Sequence, residues 1–406
     1  MTPVLVLALV AAQPAPRPAG LAADLATPVR LTAGGKPIDV ERSGHAAPCV
    51  ADLDGDGRPD LLVGQFAGGK LRVYRNAAKA GPPRLDGYDW FTASGAPGTV
   101  PNGCRTGFAP TVADLDGDGK ADVASGSRPG HVYLFRRTAD GFAGGERAVH
   151  ADGAEVNVGV ETVVSAADWD GDGKADLIVG ELQGQVFVLR NVGAPGRPAF
   201  AQPQRITAAG LPVEAEGGIA APCVADWDGD GRPDLVLGDG DGRVVWFRNE
   251  ARAGEPRLAP ARVLIPPSPA AARGVGRREP GDWGERVKPC VFDWDGDGRP
   301  DLLVGDMGGW FEGKPRMTAA EAAEEREAVD RLPAARAEWA AANRDFTAAL
   351  DADPAAPRAA ELRRTVGRLR DEIAGLEAVR DRYRVQSMTH GHVWLFRRQP
   401  AEGGTR

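Results

Sequence analysis

Cysteine, methionine, tyrosine and histidine are scarce in this chain of 406 residues, numbering four, four, four and five. Three of the cysteines, Cys49, Cys223 and Cys290, each stand three residues before a recurring aspartate, at a slot that elsewhere holds Thr111 and Ser165. A slot for small side chains predicts buried free thiols and not a disulfide framework; Cys104 stands outside the pattern. Long apolar runs are also missing. The stretch from Val4 to Ala12 is too short to span a bilayer, so no integral membrane span is expected, and residues 1–12 read as an export signal cut after Ala12, without the usual basic start. A secreted, periplasmic or cell-surface location follows. There is no basic stripe, and the formal charge of -8 argues against a nucleic-acid partner. G-x-S-x-G, H-E-x-x-H and phosphate-cradling glycine loops are absent, so no catalytic residues are assigned and an enzyme is not the expected reading.

Glycine and proline, by contrast, number 54 and 33, which favours many short strands joined by tight turns. The sequence DLDGDGRPDLLVG begins at Asp52, and near-copies begin at Asp114, Asp168, Asp226 and Asp293, spaced by 62, 54, 58 and 67 residues. Each copy follows a short apolar run such as PCVAD and precedes a second run, a turn with glycine, and a third run such as GKLRVYRN or GHVWLFRR. A looser fourth segment follows. Four short strands per repeat predict an all-β, five-bladed β-propeller. The segment from about Pro28 aligns with the linker ahead of Asp226, which makes it an outer strand without a blade of its own, while HVWLFRR near the end lacks a fourth strand. Pairing the two would close the ring and hide its edges.

The last blade is interrupted. Leu332, Trp339 and Phe346 recur every seven residues, and Leu362, Val366, Leu369, Ile373, Leu376 and Tyr383 at four-then-three spacing. This patterning predicts an α-helical coiled-coil hairpin inserted in the last blade, with Thr318 and Glu321 as a capping box, Pro333 kinking the first arm, and DADPAAP from Asp351 breaking the run. The expected organisation is a signal at 1–12, propeller at 28–307, helical insertion at 308–389, a last strand at 390–399 and a tail at 400–406.

Carboxylates on alternate residues of a tight loop can face one hard cation where glycines permit the turn. The first loop offers Asp52, Asp54, Asp56 and Asp60 with the carbonyl of Arg58 at position seven. The others offer Asp114, Asp116, Asp118, Asp122 and Lys120; Asp168, Asp170, Asp172, Asp176 and Lys174; Asp226, Asp228, Asp230, Asp234 and Arg232; and Asp293, Asp295, Asp297, Asp301 and Arg299. Position twelve, where an EF-hand needs glutamate, holds Val63, Ser125, Val179, Leu237 and Val304, which excludes helix-based sensors. The ninth-position aspartate is the expected closing ligand. Five divalent ions would add ten positive charges and bring the formal charge from -8 to +2.

These loops resemble the calcium loops of FG-GAP/VCBS repeat proteins, whose best-known members are the integrin alpha-chain propellers. The resemblance covers about residues 28–307 and 390–398, and implies calcium, up to five ions, between the first and second strands of each blade. The inserted hairpin and the blade number depart from integrins.

Other repeated positions are assigned by their place in the pattern. Leu53, Leu115, Trp169, Trp227 and Trp294 are read as inter-blade packing. Arg75, Arg136, Arg190, Arg248 and Arg397 end the third strands on the loop side, where they pair with oxygens or stay solvated. Strand parity puts the remaining connections on the opposite face, where Arg42, His45, Arg105, Glu161, Trp283 and Arg286 are candidate ligand residues, along with Asn157, Glu214, Glu216, Asp282 and Glu285. A binding module for a protein or glycan ligand is the leading reading, with self-association or partner contact through the hairpin. An extracellular polysaccharide-acting enzyme using Glu161, Glu214 and Glu285, and a structural envelope component, are the alternatives.

Overall fold

The computed structural model describes residues 17–40, 44–101, 107–269, 282–311, 317–352, 357–382 and 387–400. The predicted signal at 1–12, Arg42, Cys104, Arg105 and Tyr383 lie outside them.

Strand-forming runs and glycine turns produce antiparallel sheets in the expected order. Sheet 1 holds Ala47–Ala51, Asp60–Gly64, Leu71–Tyr74 and Asp89–Trp90. Sheet 2 holds Pro110–Ala113, Asp122–Ser125, Tyr133–Phe135 and Glu146–Arg147. Sheet 3 holds Val163–Ala167, Asp176–Gly180, Val186–Leu189 and Gln204–Arg205. Sheet 4 holds Ala221–Ala225, Asp234–Gly238, Val244–Phe247 and Arg262–Ile265. Sheet 5 has five strands: Glu285–Phe292, Asp301–Phe311, Val393–Phe396, the additional Ser387–His390 paired with Asp301–Phe311, and as outer strand the N-terminal Val29–Arg30, paired as Val29 with Leu395 and Arg30 with Trp394. The first strands are neighbours in cyclic order: sheet 1 beside 2, 2 beside 3, 3 beside 4, 4 beside 5, and 5 beside 1.

Apolar alternation on these strands builds a hydrophobic cluster between each neighbouring pair of sheets, and every cluster contains one second-position residue of an aspartate loop. Leu53 lies between sheets 1 and 2, Leu115 between 2 and 3, Trp169 between 3 and 4, Trp227 between 4 and 5, and Trp294 between 5 and 1. All five are buried, so the packing assignment holds. Leu21, Ala22 and Leu25, which precede the expected start at residue 28, are packed into the cluster between sheets 4 and 5.

The small-residue slot has a further duty. Thr111 Oγ1 accepts the Ala166 N–H and Ser165 Oγ accepts the Val224 N–H, each from the next sheet. The thiols of Cys49, Cys223 and Cys290 face the backbone N–H groups of Val112, Val291 and Val50 in the same pattern. The slot thus selects a small acceptor that links each first strand to the next. Burial pushes the Cys49 thiol up to about 12 and Cys223 up to about 11, and Cys290 well upward, so these free cysteines stay protonated.

The chain divides into two compact units, one of residues 1–310 with 388–406 and the other of residues 311–387. The second unit contains α1, Ala319–Ala352, and α2, Pro357–Arg382. Thr318 and Glu321 form the capping box, with the Thr318 N–H donating to Glu321 Oε2 at 2.8 Å and the Glu321 N–H to Thr318 Oγ1 at 3.3 Å. Pro333 lies inside the continuous helix α1. The helices bury Ala328, Leu332, Ala335, Ala359, Leu362 and Leu369, and Arg331 pairs across them with Glu372 at 2.8 Å. No helix of the described residues is long and apolar enough to cross a membrane.

Candidate functional site

Each aspartate loop joins the first two strands of its sheet, the register running Ala51 to Asp60, Ala113 to Asp122, Ala167 to Asp176, Ala225 to Asp234 and Phe292 to Asp301. Glycines at positions four and six adopt φ between 73° and 87° in all five loops, a region where a Cβ is strained. Their N–H groups turn inward onto the first aspartate. Asp52, Asp114, Asp168, Asp226 and Asp293 each accept both glycine N–H groups at 2.7–3.0 Å.

The result is a cluster of hard oxygen donors. Ligand atoms of Asp52, Asp54 and Asp56 lie within 4.8 Å of one another, as do those of Asp168, Asp170 and Asp172, of Asp226, Asp228 and Asp230, and of Asp293, Asp295 and Asp297. In sheet 2 the group is Asp114, Asp116 and Asp122. That span is about twice a calcium–oxygen distance of roughly 2.4 Å, and an all-oxygen donor set suits a hard cation. The residues present therefore fit a divalent ion.

Three features add detail to the expected ligand sets. First, the ninth aspartates, Asp60, Asp122, Asp176, Asp234 and Asp301, are at most 2% exposed. Each accepts the N–H that follows the third strand, from Asn76, Arg137, Asn191, Asn249 or Arg398, at 2.6–2.9 Å. Only Asp122 joins its carboxylate trio. Burial pushes Asp122 up to about 6 and shifts Asp176, Asp234 and Asp301 upward. Second, the position-seven side chains pair with the position-five aspartates: Arg58 with Asp56, Lys120 with Asp118 at 2.8 Å, Lys174 with Asp172 at 3.5 Å, Arg232 with Asp230, and Arg299 with Asp297. Third, the arginines ending the third strands reach the position-three aspartates. Arg75 lies 3.2 Å from Asp54, Arg136 3.9 Å from Asp116, Arg190 3.2 Å from Asp170 and Arg248 2.6 Å from Asp228. Of the two readings left open, four arginines take the paired one. Arg397 is exposed and makes no such pair among the described residues.

The loops and the strands that frame them match the FG-GAP-like repeat over residues 52–125, 114–179, 168–237 and 226–304. The chain belongs to the FG-GAP-like repeat family. It is similar to integrin alpha pat-2 of Caenorhabditis briggsae, 28% identical over an alignment of 236 residues that covers 50% of this chain and 18% of that protein. It is 31% identical over 185 residues to integrin alpha-7 of Mus musculus, covering 42% of this chain and 14% of the relative. The chain thus spans less than a fifth of the length of these curated relatives. A solved structure described as NanB plus Optactamide superposes with a TM-score of 0.33 and 10% identity over 68% of this chain and 39% of that one, too slight a likeness to bear on the fold.

At the other end of the first strands, this FG-GAP-like protein gathers charge. Seven residues before each loop stand His45, Gly107, Glu161, Ile219 and Arg286. The four that are not glycine have φ between 51° and 61°, a strained conformation that recurs at one slot and turns the chain into the first strand. Two positions later, sheets 1 to 4 place Ala47, Ala109, Val163 and Ala221 in a shared apolar cluster, whereas sheet 5 places Lys288. Glu161 of sheet 3 lies 3.6 Å from the Arg286 guanidinium of sheet 5, and Lys288 Nζ lies 3.5 Å from His45 Nδ1 of sheet 1. Sheets 3 and 5 are not neighbours in the strand order, so the Glu161–Arg286 pair reaches across it, whereas Lys288 and His45 belong to neighbouring sheets. Glu161, His45 and Lys288 are 6%, 3% and 7% exposed. Burial, with the Arg286 charge beside it, brings Lys288 down to about 8.

Three of the expected ligand residues, His45, Glu161 and Arg286, are therefore brought together. Trp283 is not a ligand-facing aromatic: it is 1% exposed, its Nε1 donates to the Gly242 carbonyl at 3.0 Å, and its ring packs in the cluster between sheets 4 and 5. Glu214 and Glu216 are taken up by Arg205 at 3.2 Å and Arg243 at 2.6 Å. His390 pairs with Asp39 at 2.6 Å and stacks on His392. Lys288 was missed because its neighbourhood reads as strand. The signal was available in the repeat alignment, as a lysine where four copies have alanine or valine.

Proposed function

We propose that the chain is an exported, calcium-binding, five-bladed β-propeller closed by its N-terminal strand, acting as an adhesion or ligand-binding module. The blade number and closure are supported by the cyclic order of the first strands and by the pairing of residues 29–30 with the last strand. Calcium is supported by the five carboxylate trios and their all-oxygen donor sets. The likeness to integrin alpha chains supports an extracellular or cell-surface setting and a protein ligand.

The ligand engages the end of the ring opposite the aspartate loops. The observation that carries this reading is the meeting of His45, Glu161, Arg286 and Lys288 from three different sheets. Groups so placed are preorganised by the scaffold, and a partner's polar groups meet them without reordering of long side chains. The helical unit contributes a partner-contact or self-association element.

A peptide and glycan array probed with the full chain in calcium tests the assignment. Protein-derived sequences are expected to bind, and Glu161→Gln and Lys288→Met to lose at least tenfold in affinity, on the order of 1.4 kcal/mol. Binding that both substitutions leave intact would remove the axial assignment.

A further inference from the structure

The cations beside the aspartate loops follow a rule that the fold alone does not require. The position-seven Lys or Arg sits on the position-five aspartate in all five loops, and the third-strand arginine lies within 4.0 Å of the position-three aspartate in four, Arg136 being the most distant at 3.9 Å while it pairs with Glu146 at 2.6 Å. Three carboxylates within 4.8 Å of one another repel strongly unless a positive charge lies among them. We propose that Arg75, Arg136, Arg190 and Arg248 are built-in counter-cations that compete with the divalent ion for their loops, so that ion binding displaces a guanidinium from the position-three carboxylate. This rests on the calcium reading above.

Several contacts show that the guanidinium is aimed at the loop and does not merely pass it. Arg75 bridges Asp54 and Asp60 at 3.2 and 2.6 Å, Arg190 bridges Asp170 and Asp176 at 3.2 and 3.5 Å, and Arg248 bridges Asp228 and Asp230 at 2.6 and 3.0 Å. Arginine suits this duty because its planar fork spans two carboxylates and stays charged at any working pH. The competition has two consequences. An ion-free loop keeps its shape because its charge is partly balanced, and an ion must replace that pairing, which lowers its apparent affinity.

The fifth loop is the internal control. Asp293, Asp295 and Asp297 have Arg299 at position seven, but the corresponding third-strand arginine, Arg397, is exposed and makes no such pair among the described residues. This loop should therefore bind calcium more tightly than the other four.

Calorimetric titration of the chelator-treated full chain with calcium tests the proposal, alongside melts of the ion-free protein. The native chain should show one tighter site and four weaker ones. The combined variant Arg75→Gln, Arg136→Gln, Arg190→Gln and Arg248→Gln should bind calcium roughly two- to fivefold more tightly at those four loops, the range set by partly exposed ion pairs. Its ion-free form should melt at a lower temperature. Single Arg248→Gln carries the same test for one loop if the combined variant is poorly folded, and Arg397→Gln should change nothing. Unchanged or weaker calcium affinity in the variants, with the native chain still binding, overturns the competition alone. No calcium binding by either protein overturns the calcium reading and this proposal together.

Discussion

Lys288→Met should make the protein more stable at neutral pH, although it removes a charged side chain from a site with acidic neighbours. Lys288 is 7% exposed, and burial brings its ammonium from the ordinary 10.5 down to about 8 despite Glu161 and Asp306 nearby. At about 1.36 kcal/mol per pH unit, that drop corresponds to a penalty of about 3 kcal/mol for holding the charged lysine in the folded state. Below pH 8 the lysine is charged whether the chain is folded or not, so the whole penalty is present. Between about pH 8 and 10.5 the unfolded chain binds the proton and the folded chain does not, so stability rises with pH across that window. The Arg286 guanidinium and the carboxylates of Glu161 and Asp306 are the charged groups that act on Nζ. Methionine fills a similar length without a charge. Urea unfolding of both proteins in chelator should therefore find the variant more stable by about 3 kcal/mol near pH 7, with the gap closing toward pH 10.5. A variant less stable at pH 7, or a gap that stays constant from pH 8 to 10.5, would refute the reasoning.

Excess calcium should stabilise the fold relative to chelator by about 2.7 kcal/mol per site at a hundredfold excess over its dissociation constant, read as a higher melting temperature; identical melts after verified metal removal would contradict the calcium assignment. Trp227→Ala empties the centre of the cluster between sheets 4 and 5, where the ring is 1% exposed and lies under the Arg398 guanidinium at 4.6 Å, and should cost about 3–5 kcal/mol in denaturant unfolding. Replacing residues 312–386 by a short Gly-Ser turn should leave the sheet unit folded, read by circular dichroism and calcium titration, while light scattering or partner binding changes. The cut must spare Asp306, whose carboxylate accepts the His392 N–H at 2.8 Å, the Gly284 N–H at 2.7 Å and the Trp394 Nε1–H at 2.6 Å.

What the amino-acid sequence determined by itself is whatever depends on near neighbours. The nine-residue loops, their glycine turns and the alternating strands beside them are legible because every group needed lies within one loop and its flanking strands. The capping box at Thr318 and the buried seam of α1 and α2 are legible for the same reason, since helical periodicity and cap chemistry span a few residues. The repeat itself also reveals which second-position residues pack between sheets, because five copies of one slot share one environment.

The tertiary structure alone decided which distant side chains meet. His45 and Lys288 are 243 positions apart, and their approach depends on the first strands of sheets 1 and 5 lying side by side. The same arrangement gives the small slot its second role, because the N–H accepted by Thr111 or Ser165 belongs to the neighbouring sheet. Trp283 illustrates the limit from the other side: strand parity places its backbone on the ligand face, yet the indole finds a buried carbonyl at Gly242 and fills the core. Burial of a tryptophan with its N–H satisfied outweighs exposure on a polar face, and that balance is set by the gap between two sheets, which no local pattern encodes.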